Sequence, residues 1–250
     1  MRKLTWQQRF AILLLAIALA LYAVRWFAFP GEALHSEMWR FLIGDIAFVF
    51  VQVLMVTLVI DGLIRRRERE EMRRKLNMVI GAFFSETGTL LLDKVARADT
   101  TISTIRDDLV PSGSWDPARY AAARAAFRLH KPTIELSGRD LVELRDTLAQ
   151  ERSFMIGLLA NQTLLEHESF SDLLWALTHL GEELSARTDV AALTPGDARH
   201  IAIDIKRAYT LLVVEWLSYM QHLQHTYPYL FSLAVRTNPF DPRAEVEVSE

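Results

Sequence analysis

Apolar positions fill two early stretches of the chain and then thin to a periodic pattern. The first stretch runs from Phe10 to Phe29. The second, Phe41 to Ile64, reads FLIGDIAFVFVQVLMVTLVIDGLI. At about 1.5 Å rise per residue, about 20 apolar residues cross a bilayer, and both stretches meet that length. A buried helix of a soluble protein rarely runs so far without a polar face. The pattern predicts a transmembrane hairpin over residues 1–64, with spans at about 10–29 and 41–64. The first stretch begins like a signal peptide, but Trp26-Phe27-Ala28-Phe29-Pro30 lacks the small residues of a cleavage site. It reads as an uncleaved first span.

Beyond Ile64 the pattern becomes helical and amphipathic. RRREREEMRRK leads into KLNMVIGAFFSETGTLLL, and no proline occurs until Pro111. Residues 65–110 therefore read as a basic juxtamembrane and long-helix region, with Gly81 and Gly88 as points of weakness. Residues 76–92 fit the first helix of a bundle better than a helix lying on the membrane, because no basic face continues past Phe83. Asp116-Pro117 and Thr194-Pro195 pair an N-cap side chain with proline at the first helical position, and Ser137 with Asp140 resembles a capping box. Ser169 or Ser171 is placed to cap a further helix. These signals predict a helical domain over 111–238 and an irregular tail over 239–250. The fold class expected is all-α: a membrane hairpin followed by a cytoplasmic helical bundle.

Charge adds orientation. Arg2, Lys3 and Arg9 precede the first span, and Arg65, Arg66, Arg67, Arg69, Arg73, Arg74 and Lys75 follow the second. Basic residues stay on the cytoplasmic side, so both termini are expected there, in a multi-pass protein of the cell (inner) membrane. The seven residues of the second cluster are candidates for binding lipid headgroups. Inside the spans the polar candidates are Arg25, Asp45, Gln52 and Asp61. Arg25 and Asp45 fall at similar depth in an antiparallel hairpin, which predicts an ion pair; the alternative is that Arg25 reaches the headgroups and Asp45 is protonated or wetted from outside. Gln52, seven residues on, extends that polar seam.

Composition narrows the rest. The 250 residues include no cysteine, which removes disulfides and thiolate chemistry and suits a reducing compartment. Only 10 glycines and 8 prolines disfavour a turn-rich β fold. A net charge of -3 gives no reason to expect a nucleic-acid partner. GDIAFVFVQVLMVTLVIDGL, KLNMVIGAFFSETGTLLL and YPYLFSLAVRTNPFDP together resemble an uncharacterised family of prokaryotic two-span membrane proteins. The resemblance covers most of the chain. It implies the two-span architecture with a cytoplasmic helical domain, and no activity.

Candidate chemistry is sparse. Phosphate-cradling glycine loops and the Gly-x-Ser-x-Gly elbow are absent. Glu215, His222 and His225 on the last long helix are the weak metal candidates. Asp197-x-x-His200 and His179-x-x-Glu182 also carry ligand-like spacing, without the Glu-x-x-His of di-iron bundles. No cofactor and no catalytic residue is expected. Within TLLVVEWLSYM, Leu212 and Trp216 should be buried, and Glu215 either faces a solvated gap or is buried with a partner, the solvated reading being the preferred one. The reading is a membrane-anchored, non-enzymatic scaffold or signalling module. Its expected partners are membrane lipids and a second copy or another membrane or cytoplasmic protein. The alternatives are a subunit of an oligomeric ion channel or transporter, and an unrecognised metal-dependent enzyme.

Overall fold

The computed structural model describes residues 6–28, 34–161, 164 and 167–247. Among these the protein is all-helical. Eight α-helices follow in order: α1 (Trp6–Ala28), α2 (Leu34–Phe83), α3 (Thr89–Ala98), α4 (Pro117–Leu129), α5 (Gly138–Leu159), α6 (Glu168–Ser185), α7 (Pro195–Thr226) and α8 (Pro228–Arg236). A π-helical turn, Phe84–Gly88, joins α2 to α3, and two short 3₁₀ turns, Ile102–Thr104 and Arg106–Asp108, follow α3. Among the described residues the sole β-type pairing is an isolated antiparallel bridge between Asp99 and Ile134. The chain divides into two units, Met1–Glu71 and Met72–Glu250.

The first unit turns apolar side chains outward. On α1, Leu14 and Ala18 are buried while Ile12, Leu13, Leu15 and Leu19 are exposed. On α2, Gly44 and Ala47 are buried while Phe48, Val49, Val53, Met55 and Val59 are exposed. Helix α2 is long and apolar enough to cross a membrane, and 11% of its apolar window is buried. The apolar part of α1 counted on the same basis is shorter, Gln8–Leu21.

The second unit is built around α7. Thirteen of its side chains are buried, from Ile201 to Leu223, with Leu212 and Trp216 among them as expected. Such a helix, apolar on nearly every side, is stable only when other helices surround it. Helices α3, α4, α6 and α8 pack against it, and α5 packs on α6. Residues 76–92 belong to this core: Leu76, Ile80, Phe83, Phe84, Leu91 and Leu92 are all buried in it. Phe83 meets Phe170 edge-on at 5.3 Å, and Phe84 stacks on Tyr219 at 5.1 Å. Gly81 does not interrupt the helix. Gly88 closes the widened π turn, where the Thr89 N–H and hydroxyl both donate to the Phe84 carbonyl. The turn seats Thr87 inside, donating to the Glu151 carboxylate of α5 at 2.7 Å.

Helix ends follow local chemistry. Asp116 accepts from the Arg119 N–H, Thr194 accepts from the Asp197 N–H, and Ser137 with Asp140 forms a reciprocal capping box. The cap expected at Ser169 or Ser171 is corrected to His167, whose Nδ1 accepts from the Phe170 N–H at 3.3 Å. Ser171 instead turns its hydroxyl to the Leu164 carbonyl. Among the described residues no regular helix follows α8, yet Asn238 and Phe240 are buried. Asn238 donates to the Leu109 carbonyl at 2.9 Å and accepts from the Phe240 N–H, and the Phe240 ring lies 5.3 Å from that of Trp216.

Candidate functional site

The polar residues of α2 separate onto different sides. Asp45 and Gln52 are both exposed and lie close together around the helix, away from the buried Ala47. Asp61 is half-buried, and the Arg65 guanidinium lies 3.2 Å from its carboxylate. Four residues separate them, the spacing that stacks two side chains on one helix face. Arg25 lies on α1, but its side chain is outside those described, so its expected pairing with Asp45 falls there too. Arg65, Arg66, Arg67, Arg69, Arg73, Arg74 and Lys75 are all exposed. Within this run Arg67 pairs with Glu71 at 3.4 Å. The seven cations thus ring one continuous helix directly after its apolar part.

In the second unit, α6 and α7 bring together residues far apart in sequence. The Asp204 carboxylate is 4% exposed, and the Nε2 atoms of His179 and His200 each lie 3.5 Å from its Oδ2. Arg207 lies 3.2 Å from Oδ1. His200 also stands 3.5 Å from Glu183, whose carboxylate accepts from Arg187 at 2.8 Å. That hydrogen bond holds the Glu183 carboxyl below the usual range and raises the Arg187 guanidinium. The sequence singled out Asp197-x-x-His200 and His179-x-x-Glu182, but His200 meets Asp204 and Glu183, and His179 meets Asp204. Asp204 as their common partner was not legible, because no local pattern marks which faces of two helices meet. A second buried acid, Asp99, accepts from the Thr101 N–H and hydroxyl and from the Thr133 N–H, with His130 at 3.4 Å. It fastens the segment after α3 to the one before α5.

Glu215 corrects the sequence expectation: it is 3% exposed rather than solvated, because α7 is surrounded on that face. Its Oε2 has no hydrogen-bond partner. The Arg124 cation of α4 is close enough to feel its charge. Burial lowers the Arg124 pKa, and Glu215 opposes that shift. Burial also pushes the neighbouring Tyr120 phenol well up, so it stays neutral. His222 faces elsewhere, with its Nδ1 3.1 Å from the Asn77 amide, and His225 is exposed. Among the described residues no group of three or more His, Asp or Glu could hold a metal ion. A cleft of about 410 Å³ between α3 and α5 is lined by Asp93, Lys94, Arg97, Glu135 and Glu143, and its cations pair with its own acids: Arg97 with Asp93 at 2.8 Å and Lys94 with Glu143 at 3.5 Å.

The described chain is thus an all-helical protein of two units, with a long apolar helix leading into a basic run and a helical body centred on α7. It belongs to the family of Uncharacterized protein MJ1433: residues 72–236 match that family's C-terminal helical domain and residues 2–64 its N-terminal helical domain. The chain is similar to Uncharacterized protein MJ1433 of Methanocaldococcus jannaschii, 36% identical over 234 residues, covering 94% of this chain and 93% of the relative. No solved structure matches.

Proposed function

We propose that this protein is a membrane-anchored, non-enzymatic scaffold or signalling module, held by α1 and α2 and acting through its helical body in the cytoplasm. One observation carries the reading: α2 exposes nearly all of a membrane-length apolar stretch and passes without a break into seven exposed cations. In water such a surface is far larger than a monomeric protein tolerates. In a bilayer it is the ordinary lipid face, and the cations meet anionic headgroups. A hairpin would account for the buried positions on α1 and α2. Ala18 and Ala47, both buried, lie at similar distances along the chain from the connection near residues 29–33, which suits an antiparallel hairpin. The basic ends then sit on one side, with both termini in the cytoplasm.

The test is topological. A phosphatase fused after Glu250 that works only outside the cytoplasm should stay inactive, and alkaline carbonate washing should leave the chain in the membrane pellet. An active phosphatase overturns the orientation. Release by carbonate overturns the anchor.

A further inference from the structure

Gln52 stands near the middle of the apolar stretch Phe41 to Ile64, about 17 Å along the helix from its start. It is exposed, as is Asp45 seven residues before it. At about 100° per residue, Gln52 and Asp45 lie within about 20° of each other around α2, and Gln52 lies about 140° from the buried Ala47. Gln52 lies about 80° from the buried Gly44, so the exposed polar pair lies beside the buried stripe of the helix and not on it. Phe48, Met55 and Val59 complete the same stripe and are 58%, 63% and 57% exposed.

Lipid offers an amide nothing. The Gln52 side chain carries two N–H donors and a carbonyl acceptor, and hydrocarbon satisfies none of them. Polar side chains within a membrane almost always face other protein or water. We infer that the stripe Asp45, Phe48, Gln52, Met55 and Val59 is where a second copy of this chain docks, with the two Gln52 amides bonded to each other. This rests on the membrane reading above. The partner is argued from self-complementarity. Two copies inserted the same way carry Gln52 at the same depth, and an amide is both donor and acceptor, so each satisfies its twin. Asp45 lies about 6 Å inside the start of the apolar stretch, where water reaches it, so it needs no such partner. Asp61 lies on another side of α2, near Arg65, and is not part of this surface.

The chain has no cysteine, so a single introduced thiol reports without background. Val59→Cys places one on the stripe and Leu54→Cys places one on the opposite side. In native membranes treated with copper phenanthroline, Val59→Cys should give a reducible dimer and Leu54→Cys should not. Adding Gln52→Leu to Val59→Cys should lower association about three- to tenfold, the range for one interhelical amide bond in a bilayer. Gln52→Leu leaves an apolar helix apolar, so carbonate-resistant membrane insertion should persist. An anchored chain that cross-links equally from both positions, or from Leu54→Cys alone, or from neither, overturns this surface. Val59→Cys dimers indifferent to Gln52→Leu overturn the amide pairing. A chain released by carbonate overturns the anchor itself, a separate outcome read on the same membranes.

Discussion

One amide ties distant parts of the helical body together. Asn238 donates to the Leu109 carbonyl and accepts from the Phe240 N–H, and it is buried where water cannot replace either bond. Asn238→Ala strands both partners, which should cost about 1–3 kcal/mol, read as a lower denaturant midpoint. His222 behaves oppositely to a histidine with an acid partner. Burial first, and His225 second, hold its imidazole below the ordinary value. In the unfolded chain it titrates near about 6.5. Below that pH the unfolded chain takes up the proton first, so stability falls as pH falls through the folded value and is complete above the unfolded one. Replacing His222 with Gln should flatten the dependence of the denaturant midpoint on pH below about 6.5. An unchanged slope would show that other groups set it.

The π turn gives a sharp contrast among helical glycines. A Cβ at Gly88 would meet the Phe83 ring at 2.6 Å and the Phe84 ring at 2.7 Å, and both rings are buried against other side chains. Gly88→Ala should therefore destabilise by about 1–3 kcal/mol. Gly157 in α5 has open space around it, so Gly157→Ala should stabilise by about 0.5–1 kcal/mol through helix propensity alone. Thermal unfolding of the two variants should move in opposite directions. The same contrast explains what sequence reveals about elements. Asp116, Ser137 and Thr194 announce their helices because a cap is satisfied within three residues. The His167 cap has no such signature in serine or threonine spacing, and the π turn depends on Phe84 reaching Tyr219 of α7. Asp204 and Glu215 were unreadable for the same reason. Their burial is decided by which helix lies opposite, and the period of one helix does not name its neighbour.

At the scale of the whole molecule, the second unit has a complete core of its own, from Leu76 to Phe240. A chain beginning at Met72 should therefore be recovered in the soluble fraction and unfold in one cooperative transition followed by circular dichroism. Aggregation without such a transition would show that the core needs the first unit. The apolar stretches and the arginine run were readable at this scale, since length and charge need no knowledge of contacts. The arrangement of helices around α7 was not.

The central place of α7 has a consequence for biosynthesis. Its buried residues begin at Ile201, yet α3 presents Leu91, Leu92 and Val95 about 110 residues earlier on the growing chain. At about 5–20 residues per second, roughly 5–20 s pass before the ribosome has made the start of the surface that covers them. During that interval the apolar faces of α3, α4 and α6 emerge one after another without the helix on which each packs. The order of synthesis thus obliges the cell to shield a nascent, uncovered half-core, and truncated products ending before α7 should be bound by chaperones or degraded rather than accumulate.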